Sequence, residues 1–177
     1  MWRSLTQDSW IYDVVRGKFL DFVSLPIQTV PPRPLTLSQA DDWALDNALH
    51  HFLIQSIVEP CLPDVHGFFS NVFPIIKPVG PARVILNLKY LNFHVPYLHF
   101  KMDTLKDVIP LIYPNCFFVT VDFKDAYYSI YVRPEDRKWL QFMWKGRYYR
   151  FTCLPQGLSS APRIFTKLMK PVFSHLR

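Results

Sequence analysis

Hydrophobic and polar positions divide the chain into stretches of different period. In "TLSQADDWALDNALHHFLIQSIVE", Leu45, Leu49, Phe52, Leu53 and Ile57 keep one apolar face at helical spacing. Ser38, with Asp41 three residues on, is a capping signal, so the pattern predicts a helix ended by Pro60 and Pro63. From Phe68 the period shortens. "FFSNVFPII" and "RVILNL" are short β-branched runs joined by "KPVGPA", and they predict a hairpin. "MDTLKDVI" starts like a helix capped by Asp103 and limited by Pro110. "CFFVTVD" has the pattern of a strand buried on both sides. "YSIYV", "WLQFMW" and "RYYRF" add strands, the last two joined around Lys145-Gly146. "LPQGLSSAP" is a loop, and "RIFTKLMKPVFSHLR" begins a helix running to the last residue. Residues 1–35 form an irregular, proline-bounded arm in this reading. Strands and helices mix without regular βαβ alternation, so the expected fold class is α+β.

Composition sharpens this picture in two places. Sixteen prolines against five glycines favour rigid turns and short elements. Aromatics at 16% exceed the needs of a core and fit a protein that presents flat surfaces to something. The net charge of +6 is unevenly spread: residues 1–66 carry net −4, and residues 133–177 net +8. A terminal third this basic points to a polyanion, nucleic acid first, although a solvated basic face gives the same count. Cys61, Cys116 and Cys153 are few and far apart, which predicts neither a disulfide framework nor a zinc site. His50 and His51 are adjacent and cannot share a helix face, so they are not a metal pair. No apolar run reaches membrane-spanning length and no signal peptide is recognisable, so an intracellular protein of the cytoplasm or nucleus is expected.

Four features could carry chemistry. Asp122 ends an apolar run, where a carboxylate can hold a hard divalent cation against a phosphate or simply accept backbone N–H bonds. Lys77 and Arg83 flank the "KPVGPAR" turn and could fold over a triphosphate. "LPQGLSSAPRIF" puts a polar loop before a helix N-terminus, suited to an anion or to plain capping by Ser159 or Ser160. Arg133 to Arg150 interleaves cations with Trp139, Phe142, Trp144, Tyr148 and Tyr149, which suits nucleic acid or a half-buried sheet.

In order and spacing, "FPIIKPVGPARVILNLKYLN", "VTVDFKDAYYSI" and "FTCLPQGLSSAPRIF" resemble the fingers and early palm of reverse transcriptases. The resemblance is strongest to retroelements of the tyrosine-recombinase (DIRS-like) group, through "GFFSN", "HFKMDTL", "DFKDAYYSI" and "GLSSAPRIFTKLMKPV". It covers residues 67–177 as fingers and early palm of a partial right-hand polymerase fold. Residues 36–66 resemble the helix and linker before the fingers only loosely. The resemblance implies RNA-directed DNA synthesis by nucleotidyl transfer under two metal ions, Mg2+ or Mn2+. It makes Asp122 the first catalytic metal ligand, helped by the Phe123 carbonyl. Lys77 and Arg83 would lie over the triphosphate, with the Asp125 and Ala126 N–H groups touching it. Tyr127 would be the aromatic gate under the sugar, Gln156 would sit beside that sugar, and Gly157 would give the template room. An RNA or DNA template-primer and a deoxynucleoside triphosphate would be the partners.

Departures from the family pattern set further expectations. No aromatic-x-Asp-Asp hairpin is present, and the one adjacent pair, Asp41-Asp42, sits in the first helix. Arg177 falls in the helix that should lead to that hairpin; thumb, ribonuclease H and recombinase segments are also absent. Pro78-Val79-Gly80 stands where relatives keep a Lys or Asp beside the glycine. The expectation is a domain inactive alone, marginal in stability or dependent on a missing polymerase segment or partner chain. A nucleic-acid-binding or protein-interaction module without catalysis, and a retroelement relic without function, are the rival readings.

Overall fold

The computed structural model describes every residue except Met1, Pro31, Pro34, Val79, Asp103 and residues 175–177. Two helices, α1 (Trp2–Leu5) and α2 (Ser9–Arg16), replace the irregular chain expected at the N-terminus. Asp8 starts α2 by accepting a hydrogen bond from the Trp10 N–H (2.9 Å), and Ile11 and Val14 face the core. The described residues between Gly17 and Ser38 are irregular apart from a bridge from Lys18 to Val132.

Helix α3 (Gln39–Ile54) has the predicted cap. Ser38 Oγ accepts from the Asp41 N–H (3.1 Å) and donates to the Asp41 carboxylate (2.7 Å). Leu45, Leu49 and Phe52 are buried as the spacing required. The helix stops well before the two prolines expected to end it. Ser56 adopts a left-handed conformation, the Ser56 N–H bonds Leu53 O (3.1 Å), and the Ile57 N–H bonds Phe52 O (2.9 Å). This is a Schellman closure with Ile57 buried behind it. It frees Val58–Pro60 to form strand β1.

Strands β2 (Val72–Ile75) and β3 (Arg83–Leu86) form the expected antiparallel hairpin, and α4 (Lys89–Asn92) follows. The predicted cap Asp103 lies outside the described residues. The helix there, α5 (Leu105–Val108), is a single turn in which Asp107 accepts from the Thr104 N–H and Oγ1 (2.7 Å each). Strands β4 (Gln141–Trp144) and β5 (Arg147–Phe151) pair antiparallel around Lys145 (φ 48°) and Gly146 (φ 74°). Two positive φ values in a two-residue loop are the signature that matches strand twist. β1 joins the other edge of β5, giving the order β1-β5-β4, and α3 packs across β1, β2 and β3. Pro60 and Pro74 sit in β1 and β2, outer strands where a missing N–H discourages further pairing. Helix α6 (Ala161–Ser174) closes the described chain.

Three expected strands change. "CFFVTVD" is not a strand and is not buried: Phe117 is fully exposed and Val119 is 88% exposed. Among the described residues no strand runs beside it, and a strand without a neighbour has neither ladder partners nor a surface for its side chains. In "YSIYV", Ala126–Ser129 form a 3-10 turn, and only single bridges remain, Tyr131 to Cys153 and Val132 to Lys18. In "WLQFMW", Trp139 and Leu140 belong to a 3-10 turn, Pro134–Leu140, and the strand begins at Gln141. The mixture of short helices with antiparallel strands is otherwise the expected α+β arrangement.

Candidate functional site

Three segments meet along β3. The Leu86 N–H donates to Gln156 O (3.1 Å), tying the loop before α6 to the strand. The Asn92 side chain holds the same loop twice, Nδ2 donating to Gly157 O (2.8 Å) and Oδ1 accepting from the Ser159 N–H (3.0 Å). Those two partners fix the orientation of the amide. Gly157 has φ 114°, and a Cβ there would lie 2.1 Å from Leu86 O. Tyr128 is the third element, its hydroxyl donating to Val84 O (3.4 Å). Its ring packs against Phe52 (5.1 Å) and Phe151 (6.2 Å). Burial pushes the Tyr128 hydroxyl far above its ordinary value, so it stays a neutral donor. Burial likewise lifts the nearby Cys153 thiol to about 12, which makes it inert.

The segment carrying Asp122 is held from the other side, by α6. Phe123 meets Phe165 (5.6 Å) and Phe173 (6.0 Å) edge-on, and Tyr127 meets Phe165 (6.0 Å). Asp125 is left-handed (φ 56°, ψ 37°), which Asp tolerates, and its carbonyl accepts from the Tyr128 N–H (2.9 Å). That bend turns Ala126 and Tyr127 into the 3-10 turn and points Tyr128 at the core. Asp122 and Asp125 are exposed. Asp122 therefore needs no partner to offset burial, unlike the buried strand-end carboxylate the sequence pattern implied.

β3 thus gathers Arg83, the Tyr127-Tyr128 turn, Gln156 and Gly157, while Asp122 and Phe123 lie on the α6 side. Lys77 is half-buried in the β2–β3 connection and Arg83 is exposed; neither forms an ion pair among the described residues. Gly157 has a reason beyond space for a ligand, since its backbone touches that of Leu86. The serines do not cap α6 through their side chains; Ser160 O accepts from the Ile164 N–H (3.0 Å) instead. Asn92, which the sequence marks only as part of a packing turn, is the residue that positions this loop. An asparagine in a short turn carries no local mark of a partner so far along the chain.

The basic strip from Arg133 to Arg150 is largely engaged inside the molecule. Glu59 pairs with Arg137 (3.2 Å) and Arg150 (2.7 Å), and Lys145 pairs with Asp42 (2.7 Å) and Asp46. Trp144 Nε1 donates to Asp46 (2.6 Å), while Trp139 and Phe142 are buried. The Lys145 and Trp144 hydrogen bonds hold the Asp46 carboxyl below its ordinary value. The acidic first third of the chain therefore neutralises much of the basic last third.

A two-ion centre can be tested on the donors present. Two hard cations need shared carboxylates and about six oxygens each. Asp122 and the Phe123 carbonyl supply one carboxylate and one neutral oxygen. Among the described residues, no three His, Cys, Asp or Glu side chains gather to hold a metal. The donor set does not fit a two-ion centre.

Residues 82–177, the stretch containing β3, the Asp125 bend and the Gln156 loop, match the family model described as reverse transcriptase (RNA-dependent DNA polymerase). The chain belongs to the reverse transcriptase family. It is 28% identical over 97 residues to the Pro-Pol polyprotein of simian foamy virus type 1, covering 55% of this chain and 8% of that protein. It is 22% identical over 156 residues to the enzymatic polyprotein of cauliflower mosaic virus (strain Strasbourg), covering 88% of this chain and 23% of that protein. Among solved structures, a prototype foamy virus protease-reverse transcriptase mutant superposes with TM-score 0.70 at 19% identity, over 93% of this chain and 21% of that one. A foamy viral protease-reverse transcriptase in complex with double-stranded DNA gives TM-score 0.68 at 16% identity, over 85% and 26%. The reverse transcriptase stretch described here thus spans less than a third of each of these relatives. Its mixed α/β fold is that of the fingers and palm of the foamy virus enzymes.

Proposed function

We propose that the chain contributes the fingers and first palm segment of an RNA-directed DNA polymerase from a retrotransposon of the tyrosine-recombinase group. Residues 67–177 form that unit, with residues 36–66 leading into it and residues 1–35 as an arm. The observation that carries the reading is the lock of the Gln156–Ser159 loop onto β3 by Leu86 and Asn92, inside the residues that match the family. It supports Gln156 and Gly157 beside an incoming deoxynucleoside triphosphate, with Tyr127 under its sugar. Lys77 and Arg83 neutralise the phosphates, and the Asp125 and Ala126 N–H groups orient them. Asp122 and the Phe123 carbonyl would contribute one carboxylate and one neutral oxygen toward a Mg2+ or Mn2+ ion, whose charge would offset that of a phosphate beside it. The template-primer is RNA or DNA, and the working compartment is the cytoplasm or nucleus. No helix among the described residues is long and apolar enough to cross a membrane.

One carboxylate does not make a two-ion centre, so these residues alone do not extend a primer. Primer extension on an RNA template, with Mg2+ or Mn2+, is expected to show no incorporation above the Asp122→Ala variant. Incorporation that Asp122→Ala abolishes would refute the lack of activity while upholding the role of Asp122. Incorporation indifferent to Asp122→Ala would remove that role as well.

A further inference from the structure

Where the start of the chain meets Val132 and Arg133, the fold leaves a cleft of about 280 Å3. Trp10 and Asp13 line it from α2, Lys18, Phe19 and Asp21 from the segment that follows, and Arg133 from far along the sequence. Backbone hydrogen bonds fix these walls to one another. The Lys18 N–H donates to Tyr131 O (2.6 Å), the Arg133 N–H to Lys18 O (3.1 Å), and Arg133 Nε to Gly17 O (3.0 Å). Gly17 has φ 133°, and a Cβ there would lie 3.2 Å from Arg133 Cγ, so the arginine stem rests on bare backbone. Lys167, outside the lining, sits 4.0 Å from the centre of the Trp10 ring.

The walls carry both signs of charge beside two flat rings. The Lys18 side chain is only 7% exposed, and its Nζ meets Asp21 (2.7 Å). An ammonium has three donors, so that contact leaves donors over. Arg133 and Asp13 line the same cleft, yet among the described residues neither joins an ion pair. With Nε committed to Gly17 O, the outer edge of the Arg133 guanidinium can still fork onto a carboxylate. Phe19 is 53% exposed, with the guanidinium 5.9 Å from its ring centre. Two acids beside two cations give a polyanion no net attraction, whereas a zwitterion answers both signs.

We propose that this cleft binds a free aromatic α-amino acid. Its carboxylate meets Arg133 and Lys18, its ammonium meets Asp13, and its ring lies against Trp10 and Phe19. A volume of about 280 Å3 is at the lower edge of the range for small-ligand sites, which suits a molecule of this size. None of these residues serves the polymerase reading, so the two stand or fall separately.

Saturation-transfer difference NMR titrations of the full chain test this with L-phenylalanine and three analogues. N-acetyl-L-phenylalanine lacks the ammonium, phenethylamine lacks the carboxylate, and L-alanine lacks the ring. L-Phenylalanine should saturate at about millimolar concentration or below. Each analogue should bind about five-fold more weakly or worse. Phe19→Ala, at an exposed ring, should weaken L-phenylalanine by about three-fold or more. Asp13→Asn should weaken it as well, and should abolish its advantage over the N-acetyl form. Both positions are exposed, so both variants should keep the wild-type circular dichroism spectrum. N-acetyl-L-phenylalanine binding as tightly as L-phenylalanine to the wild type would overturn the proposal. So would a lack of saturation by L-phenylalanine at about ten-fold higher concentration. Wild-type affinity in both variants would show that the amino acid sits elsewhere, and would overturn the assignment of this cleft.

Discussion

Gly157→Ala tests whether the Gln156 loop is held by backbone contact or merely leaves room for a ligand. The new Cβ would sit 2.1 Å from Leu86 O, about 1 Å inside the closest approach carbon and oxygen tolerate. The backbone at φ 114° adds strain of about 1–3 kcal/mol for any side chain. Relieving the clash means moving the loop off β3, which loosens the Leu86–Gln156, Asn92–Gly157 and Ser159–Asn92 hydrogen bonds at about 1 kcal/mol each. The combined loss is about 4–6 kcal/mol, against a total stability of about 5–15 kcal/mol for a domain. Gly146→Ala is the control: φ is 74° but nothing lies within 4 Å of its Cβ, so only conformational strain of about 1 kcal/mol applies. Urea titrations followed by far-ultraviolet circular dichroism measure both. Two variants that unfold within about 1 kcal/mol of each other would refute the close-contact account.

Other parts of the fold make equally definite predictions. Gln141 is fully buried, accepting from the Asp64 N–H (2.9 Å) and donating to Asp64 O (3.1 Å) and Lys138 O (2.9 Å). Gln141→Leu strands those backbone groups and should cost about 2–4 kcal/mol in urea titration. Asn92→Asp keeps the acceptor for the Ser159 N–H but puts a second acceptor against Gly157 O, so the urea midpoint should fall further than for Asn92→Ala. Burial raises the Asp136 carboxyl, against a partly compensating hydrogen bond from the Leu20 N–H (2.8 Å). The folded state then binds that proton more tightly than the unfolded state, so this contribution is present below the ordinary carboxylate value. It is lost as pH rises through the raised folded value, and Asp136→Asn should flatten the urea midpoint across that window. Asp46 runs the other way: its stabilisation is present above the ordinary value and fades as pH falls through the lowered one, a slope that Asp46→Asn removes.

What was legible in the sequence was local. The Ser38 cap, the Leu45–Phe52 face, the β2–β3 hairpin and the Lys145-Gly146 turn depend on residues close together, and each is where spacing put it. The failures concern what distant residues do. "CFFVTVD" has a buried strand's composition, but composition does not supply the neighbour that makes a strand. Pro60 and Pro63 predict where α3 ends, but the left-handed Ser56 closes it earlier. At the site, Gln156, Gly157 and the Tyr127-Tyr128 turn do converge on β3, whereas the basic strip proved to face acids from the other end of the chain. Net charge by segment reveals an imbalance without revealing which imbalances cancel.

That cancellation bears on how the molecule comes together in time. β1 hydrogen-bonds to β5, and Asp42, Asp46 and Glu59 await Arg137, Lys145 and Arg150. A ribosome adding about 5–20 residues per second delivers those partners several seconds after the acids and β1 have emerged. Until then the apolar face of α3 has β1 and the β2–β3 hairpin against it, while Phe52 still lacks Tyr128 and Phe151. Contacts between such remote positions make folding slow for a domain of this size, and leave the first third a client for chaperones during synthesis.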